Sequence, residues 1–186
     1  MAKGIVLDPT MTRDDDIAAP GPDVGELAGK TIGIRVDQMW RSWDWITEIW
    51  AEELEKAGAK VVFWRSCGRS GEEGERMDRE LDQFVKSIDA AIVGLANCGS
   101  CTGWTVRDSL VAAAAGLPTV AVATANFEEF AKTIARRGGR SGLRLYVLPY
   151  PLNERVKEDV DPVGREHFKK LLATMGARIG AKDKAA

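Results

Sequence analysis

Histidine is almost missing from this chain of 186 residues, and His167 stands alone. A mechanism that needs a nearby imidazole base has only that residue to draw on. Cysteine is also scarce. Cys67, Cys98 and Cys101 are too few to frame a fold of this length with disulfides. In a reducing compartment a close pair points instead to redox chemistry, nucleophilic catalysis or metal binding. A tetrahedral zinc site needs more soft ligands than Cys67 and a distant His167 offer, so no metal ligand set and no cofactor-binding residue is assigned. Surplus charge is lacking too. Lys and Arg number 26 against 28 Asp and Glu, a net charge of −2, which leaves no basic footprint for nucleic acid. No apolar run is long enough to cross a bilayer, and Met1-Ala2-Lys3-Gly4 has no secretory hydrophobic region. The expected location is the cytoplasm, with no membrane partner.

What is present is a chain that alternates strand-like and helix-like stretches. Residues 1 to about 28 hold few apolar side chains, the run Asp14-Asp15-Asp16, and Pro9, Pro20 and Pro22, which reads as an extended arm. Within it, Gly4-Ile5-Val6-Leu7-Asp8-Pro9 has the makings of an edge strand or a contact to a second subunit. Thr31 to Asp37 predicts a first strand that ends in an acid. A helix follows, capped by Ser42 or Asp44, with Trp43, Ile46, Trp50, Leu54 and Ala57 at near-helical spacing and Gly58 closing it. Lys60 to Trp64 predicts a second strand, and Glu75 to Ser87 a charged helix with Met77, Leu81, Phe84 and Val85 inward. Cys67, between them, is read as incidental. Thr119 to Thr124 and Leu143 to Leu148 predict the fourth and fifth strands. Between these two lies a helix from Phe127 to Arg137, capped by Asn126. A last helix starts at Asp161 or Pro162.

The third strand is the unbroken apolar run Ala90-Ala91-Ile92-Val93-Gly94-Leu95-Ala96, the pattern of a strand buried on both faces. It runs into Asn97-Cys98-Gly99-Ser100-Cys101-Thr102-Gly103-Trp104, and a helix is expected from Thr105 to Ala115, with Thr105 and Asp108 as a capping box. Five strands alternating with helices predict an α/β fold: a three-layer, doubly wound, parallel five-stranded sheet in the flavodoxin-like or Rossmann-like order 2-1-3-4-5. The domain is expected over 29–176, preceded by the arm and followed by a tail over 177–186. In that order the first and third strands flank the switch point, so Asp37 to Trp43 and Asn97 to Thr105 build one crevice at the carboxyl edge.

A loop that feeds a helix N-terminus stabilises a thiolate through its free N–H groups and the helix dipole. Cys98 and Cys101 are therefore the candidate catalytic residues. Gly99 lets backbone approach a ligand, while Asn97, Ser100, Thr102 and Thr105 offer short polar groups. Asp37 is a candidate acid, Trp40 with Met39 a candidate apolar wall, and Arg107 a candidate holder of an anionic group. Tyr150 completes the candidate substrate-binding set.

At Asn97-Cys98-Gly99-Ser100-Cys101-Thr102 the sequence resembles the UGSC family of (seleno)proteins, named for a selenocysteine-Gly-Ser-Cys motif in which some members carry cysteine first. The resemblance extends to Val6-Leu7-Asp8-Pro9-Thr10, Leu27-Ala28-Gly29-Lys30, Trp104-Thr105-Val106-Arg107-Asp108 and Val147-Leu148-Pro149-Tyr150-Pro151-Leu152. It implies that Cys98 occupies the selenocysteine position and Cys101 that of the second thiol. Arg107 and Tyr150 stand where family members often carry histidine, and Trp104 where they often carry another cysteine or serine. These departures point away from a histidine-assisted thiol. The expectation is a thiol-dependent enzyme acting on a small molecule by redox or nucleophilic chemistry. Two alternatives stay open. One is non-redox covalent catalysis of the lyase, hydratase, decarboxylase or racemase kind; the other is a subunit whose site is completed in a homo-oligomer or by a partner chain.

Overall fold

The apolar runs become the strands of a parallel sheet in a computed structural model that describes residues 13–179. Strand β1 spans Gly25–Glu26, β2 Thr31–Val36, β3 Lys60–Arg65, β4 Ala90–Ala96, β5 Thr119–Thr124, β6 Arg144–Leu148 and β7 Ala177–Arg178. The main sheet has the order β3-β2-β4-β5-β6, and every pair in it is parallel. Numbered within that sheet, this is the expected flavodoxin-like order. Every residue of β4 and β5 is buried, whereas the edge strands β3 and β6 are only partly buried. A parallel strand covered by helices on both faces must be apolar throughout, which is why β4 reads as a continuous run.

Helix α1 spans Arg41–Lys56, α2 Gly71–Lys86, α3 Gly99–Ala114, α4 Glu128–Arg137 and α5 Lys157–Thr174. One face of the sheet carries α1 and α5, where Trp43, Ile46, Trp50 and Leu54 meet Phe168, Leu171 and Leu172 in the main core. The Trp50 indole N–H donates to the Gly164 carbonyl at 2.8 Å, tying the two helices together. The other face carries α2, α3 and α4, with Met77, Leu81 and Val85 of α2 packed on Val93 and Ala112. As expected, α1 ends at Gly58. Its φ of 84° lets the Gly58 and Ala59 amides fold back onto the Glu55 and Leu54 carbonyls, a Schellman closure.

Several expected boundaries move. Helix α1 starts after Trp40 without a side-chain cap: Ser42 is buried within the helix, and the Asp44 carboxylate is taken by Arg65 at 2.9 Å. Helix α2 begins at Gly71, before the expected Glu75. Asn126 does not cap α4; it lies in a 3₁₀ turn, Ala125–Phe127, that leads into the helix. Helix α5 begins at Lys157, with Pro162 inside it and Lys157 paired to Asp161 at 2.7 Å across one turn. Helix α3 begins at Gly99, so Thr105 and Asp108 lie inside it and form no capping box.

The end of the arm joins the domain. Val24 and Leu27 are buried in the main core, and β1 pairs in parallel with β7 within the stretch expected to be tail. The expected segment Gly4-Ile5-Val6-Leu7-Asp8-Pro9 lies outside the described residues.

Candidate functional site

Three consecutive strands of the sheet, β3, β2 and β4, release their loops at one carboxyl edge. Those loops enclose a cleft of about 520 Å³. Asp37 to Trp40 enter it after β2, Ser66 to Arg69 after β3, and Cys98, Ser100, Cys101 and Trp104 after β4. The expected crevice is therefore present, and the loop after β3 forms a third wall that the sequence reading did not give it.

Cys98 is the N-cap of α3. Its backbone is extended (φ −155°, ψ 174°), and its Sγ accepts the Cys101 N–H at 3.1 Å, which satisfies one free donor of the first turn. The Thr102 N–H donates to the Cys98 carbonyl at 3.0 Å, and the Thr102 hydroxyl donates to the same oxygen. Cys101 lies in the first turn, and the two sulfurs meet as a disulfide across a Cα–Cα separation of 5.2 Å, within the usual bridging range. Ser100 Oγ lies 3.5 Å from Cys98 Sγ.

The other sequence candidates divide. Asp37 lines the cleft, but its carboxylate is engaged: Oδ1 accepts from the Met39 and Trp40 amides at 2.8 and 3.2 Å, and Oδ2 lies 3.4 Å from Arg35. Trp40 and Met39 line the cleft as expected. Asn97 is buried and accepts the Thr124 hydroxyl at 2.8 Å, which joins β4 to β5. Thr102 and Thr105 are fully buried, Thr102 on the Cys98 carbonyl and Thr105 without a hydroxyl partner. A side chain at Gly99 would meet nothing within 4 Å, so no close approach requires glycine there. Arg107 pairs with Asp78 at 2.8 Å and lines a separate groove between α3 and α4, while Tyr150 packs on Phe127 with ring centroids 6.2 Å apart. Neither lines the cleft.

Beneath the cleft is a buried charge cluster that sequence reasoning missed. Asp108 on α3 is fully buried, and one of its oxygens, Oδ2, faces both Arg35 Nε at 3.0 Å and Arg69 Nη2. Arg35 also donates to the Gly94 carbonyl at 2.7 Å. Burial pushes the Arg35 pKa down, while Asp108 and Asp37 pull it back up. The signal was an arginine in the middle of a strand that should be apolar on both faces, since a buried charge demands a buried partner. Arg69 is clamped between two indoles, its Cζ 5.4 Å from the Trp64 ring and 5.0 Å from that of Trp104. Cys67 also lines the cleft. Its thiol lies 3.4 Å from Met77 Sδ and 3.3 Å from Arg76, and the neighbouring Glu73 carboxylate pushes its pKa up.

Residues 5–177 match the UGSC family along nearly the whole chain. The chain belongs to the UGSC family. No curated protein matches this UGSC chain. Among solved structures it is similar to a mutant flavo di-iron protein from Thermotoga maritima. That likeness has 12% identity and a TM-score of 0.50, and covers 79% of this chain and 37% of that one. It bears on the fold alone. A subunit of an ABC sugar transporter from Rhodobacter sphaeroides aligns at 19% identity and a TM-score of 0.37, over 83% of this chain and 56% of that one. The UGSC chain thus spans just over a third of the first of these structures and just over half of the second. Among the described residues no helix is long and apolar enough to cross a membrane, and no group of three or more His, Cys, Asp or Glu residues is placed to hold a metal ion.

Proposed function

We propose that this UGSC-family chain is a thiol-dependent enzyme whose Cys98–Cys101 pair performs redox chemistry on a small molecule bound in the cleft. The observation that supports it is the pairing of the two cysteines at the N-terminus of α3, on the wall of that cleft. In the reduced chain the Cys98 thiolate attacks a sulfur of a disulfide substrate, forms a mixed disulfide and expels one thiolate. Cys101 then attacks Cys98, closes the Cys98–Cys101 bridge and releases the second thiol. The substrate gains the two electrons that the dithiol loses, and an external thiol restores the pair. Position on the helix divides the roles. Cys98 precedes the helix and is capped by an amide, as suits the attacking thiol, while Cys101 in the first turn suits the resolving one.

Intact mass with and without reductant tests this reading. The oxidised chain is expected to be lighter by two hydrogens, with the bridge mapped to Cys98 and Cys101. In the reduced chain Cys98 is expected to alkylate with iodoacetamide at a pH well below the ordinary thiol pKa of about 8.5. An unshifted titration of Cys98 would overturn the reading.

The buried Arg35–Asp108–Arg69 cluster favours a second reading, because simple dithiol exchange has no use for it. In that reading Cys98 is the nucleophile of a non-redox covalent reaction. Turnover that survives Cys101→Ser and is lost in Cys98→Ser would select it.

A further inference from the structure

Buried polar atoms without partners gather at the cleft. Arg69 lines it, its side chain only 7% exposed. It gives Nη2 to Asp108, while Nε and Nη1 are buried with no acceptor. Trp40, which enters the same cleft after β2, buries its indole N–H without an acceptor. Such groups are costly to leave unanswered, and native proteins keep few of them. Of the seven unanswered side-chain atoms among the described residues, these two residues hold three.

All three are donors; the same cluster leaves one acceptor unanswered, Asp108 Oδ1, so donors outnumber it three to one and the missing group is chiefly an acceptor. Planar guanidinium matches a planar carboxylate, and the Trp64–Trp104 clamp holds Arg69 in place before any ligand arrives. Arg35 and Arg69 are matched by Asp37 and Asp108, so the cluster carries no surplus positive charge to hold a doubly charged phosphate. A singly charged carboxylate fits better. Arg107, the anion holder expected from the sequence, pairs with Asp78 elsewhere.

We infer that the cleft takes a carboxylate-bearing small molecule, held by Arg69 with the Trp40 indole N–H as a second donor, so that its reacting end faces Cys98. The inference rests on the reading of Cys98 as the reactive thiol, and it names the substrate class for that site.

Haloacids and their amides separate the two ideas. Iodoacetate and 3-iodopropionate are compared with iodoacetamide and 3-iodopropionamide on the fully reduced chain, with the adduct mapped to Cys98 by mass. In each case the thiolate displaces iodide from carbon and forms a thioether. The ratio of acid to amide rates cancels the thiolate fraction and reports only the preference for the carboxylate. For at least one chain length that ratio is expected to exceed its value in the urea-unfolded chain about tenfold, as one charge-assisted hydrogen bond allows. Arg69→Met should return it to the unfolded value. Arg69→Lys keeps a charge beside Asp108 but loses the planar fork, and should lower the ratio at least about threefold. A ratio equal to the unfolded value at both lengths overturns the inference, as does a raised ratio that survives both variants. A Cys98 that reacts with iodoacetamide only as an ordinary thiol overturns the redox reading instead, and leaves the ratio to be judged on its own.

Discussion

Replacing Asp108 by Asn should destabilise this protein more than any other single charge removal at the cleft. The carboxylate is fully buried, and its partners Arg35 and Arg69 have side chains only 3% and 7% exposed. Asn keeps the shape and removes the charge. Arg35 is left with the Gly94 carbonyl and an Asp37 oxygen at 3.4 Å, and Arg69 with no carboxylate at all. Stripping one partner from a buried pair typically costs about 3–5 kcal/mol, a large share of the roughly 5–15 kcal/mol that holds a domain folded. For a chain of this size that corresponds to a fall in Tm of about 6–20 °C. Equilibrium urea unfolding followed by far-UV circular dichroism measures it. Asp78→Asn serves as the internal comparison, because its pair with Arg107 is about half exposed on both sides (47% and 48%) and should be worth less than about 1 kcal/mol. The triple variant Arg35→Met, Arg69→Met, Asp108→Leu replaces the cluster with apolar volume and should recover most of the loss. A cost for Asp108→Asn below about 1 kcal/mol, or a triple variant less stable than the single one, would refute the argument that burial makes this cluster indispensable once built.

Three further outcomes are expected. Burial pulls His167 below its ordinary pKa of 6.5, with Tyr146 Oη 2.7 Å from its Nδ1. The folded chain therefore resists a proton that the unfolded chain accepts. The stability this contributes is complete above about pH 6.5 and is lost as pH falls through the depressed folded value. The urea midpoint of the parent should accordingly drop further between pH 7 and 5 than that of His167→Gln, and equal drops would dismiss the linkage. Gly94→Ala should cost about 1–3 kcal/mol, because the added methyl would sit 2.4 Å from the fully buried Trp43 ring. Gly99→Ala, which meets nothing, should leave the urea midpoint in place or raise it.

The sheet was legible because burial on two faces leaves an unmistakable apolar run at β4 and β5, and because alternation with helices limits the strand orders available. The cysteine loop was legible from its spacing, and the crevice from the topology. What escaped was set by tertiary contact. Helix α3 was expected only from Thr105 because Gly99 and Gly103 are weak helix formers; the Cys98 cap and the packing of Thr102 hold the first turn regardless. Asp108 was read as half of a capping box from its spacing to Thr105, when its partner was an arginine 73 residues away. Arg69 lay in a polar loop among other charged residues, and only the two tryptophans that close on it single it out. His167 on α5, suggestive by its rarity, is turned to Tyr146 on β6 and takes no part in the cleft.

The short β1–β7 pair has a practical consequence. It ties residues 25 and 26 to 177 and 178, and Asp16 is bound to Ser141 in the loop that leads into β6. Both ends of the described chain are thus moored at the amino edge of the sheet, while Cys98 and Cys101 open at the opposite edge, about 20 Å away across six residues of strand. A surface tether, an affinity handle or a fluorescent label joined near Arg13 or Ile179 would hang from the back of the molecule. The thiols would stay facing free solution, and the chain could be immobilised for electrochemistry or single-molecule work without masking its cleft.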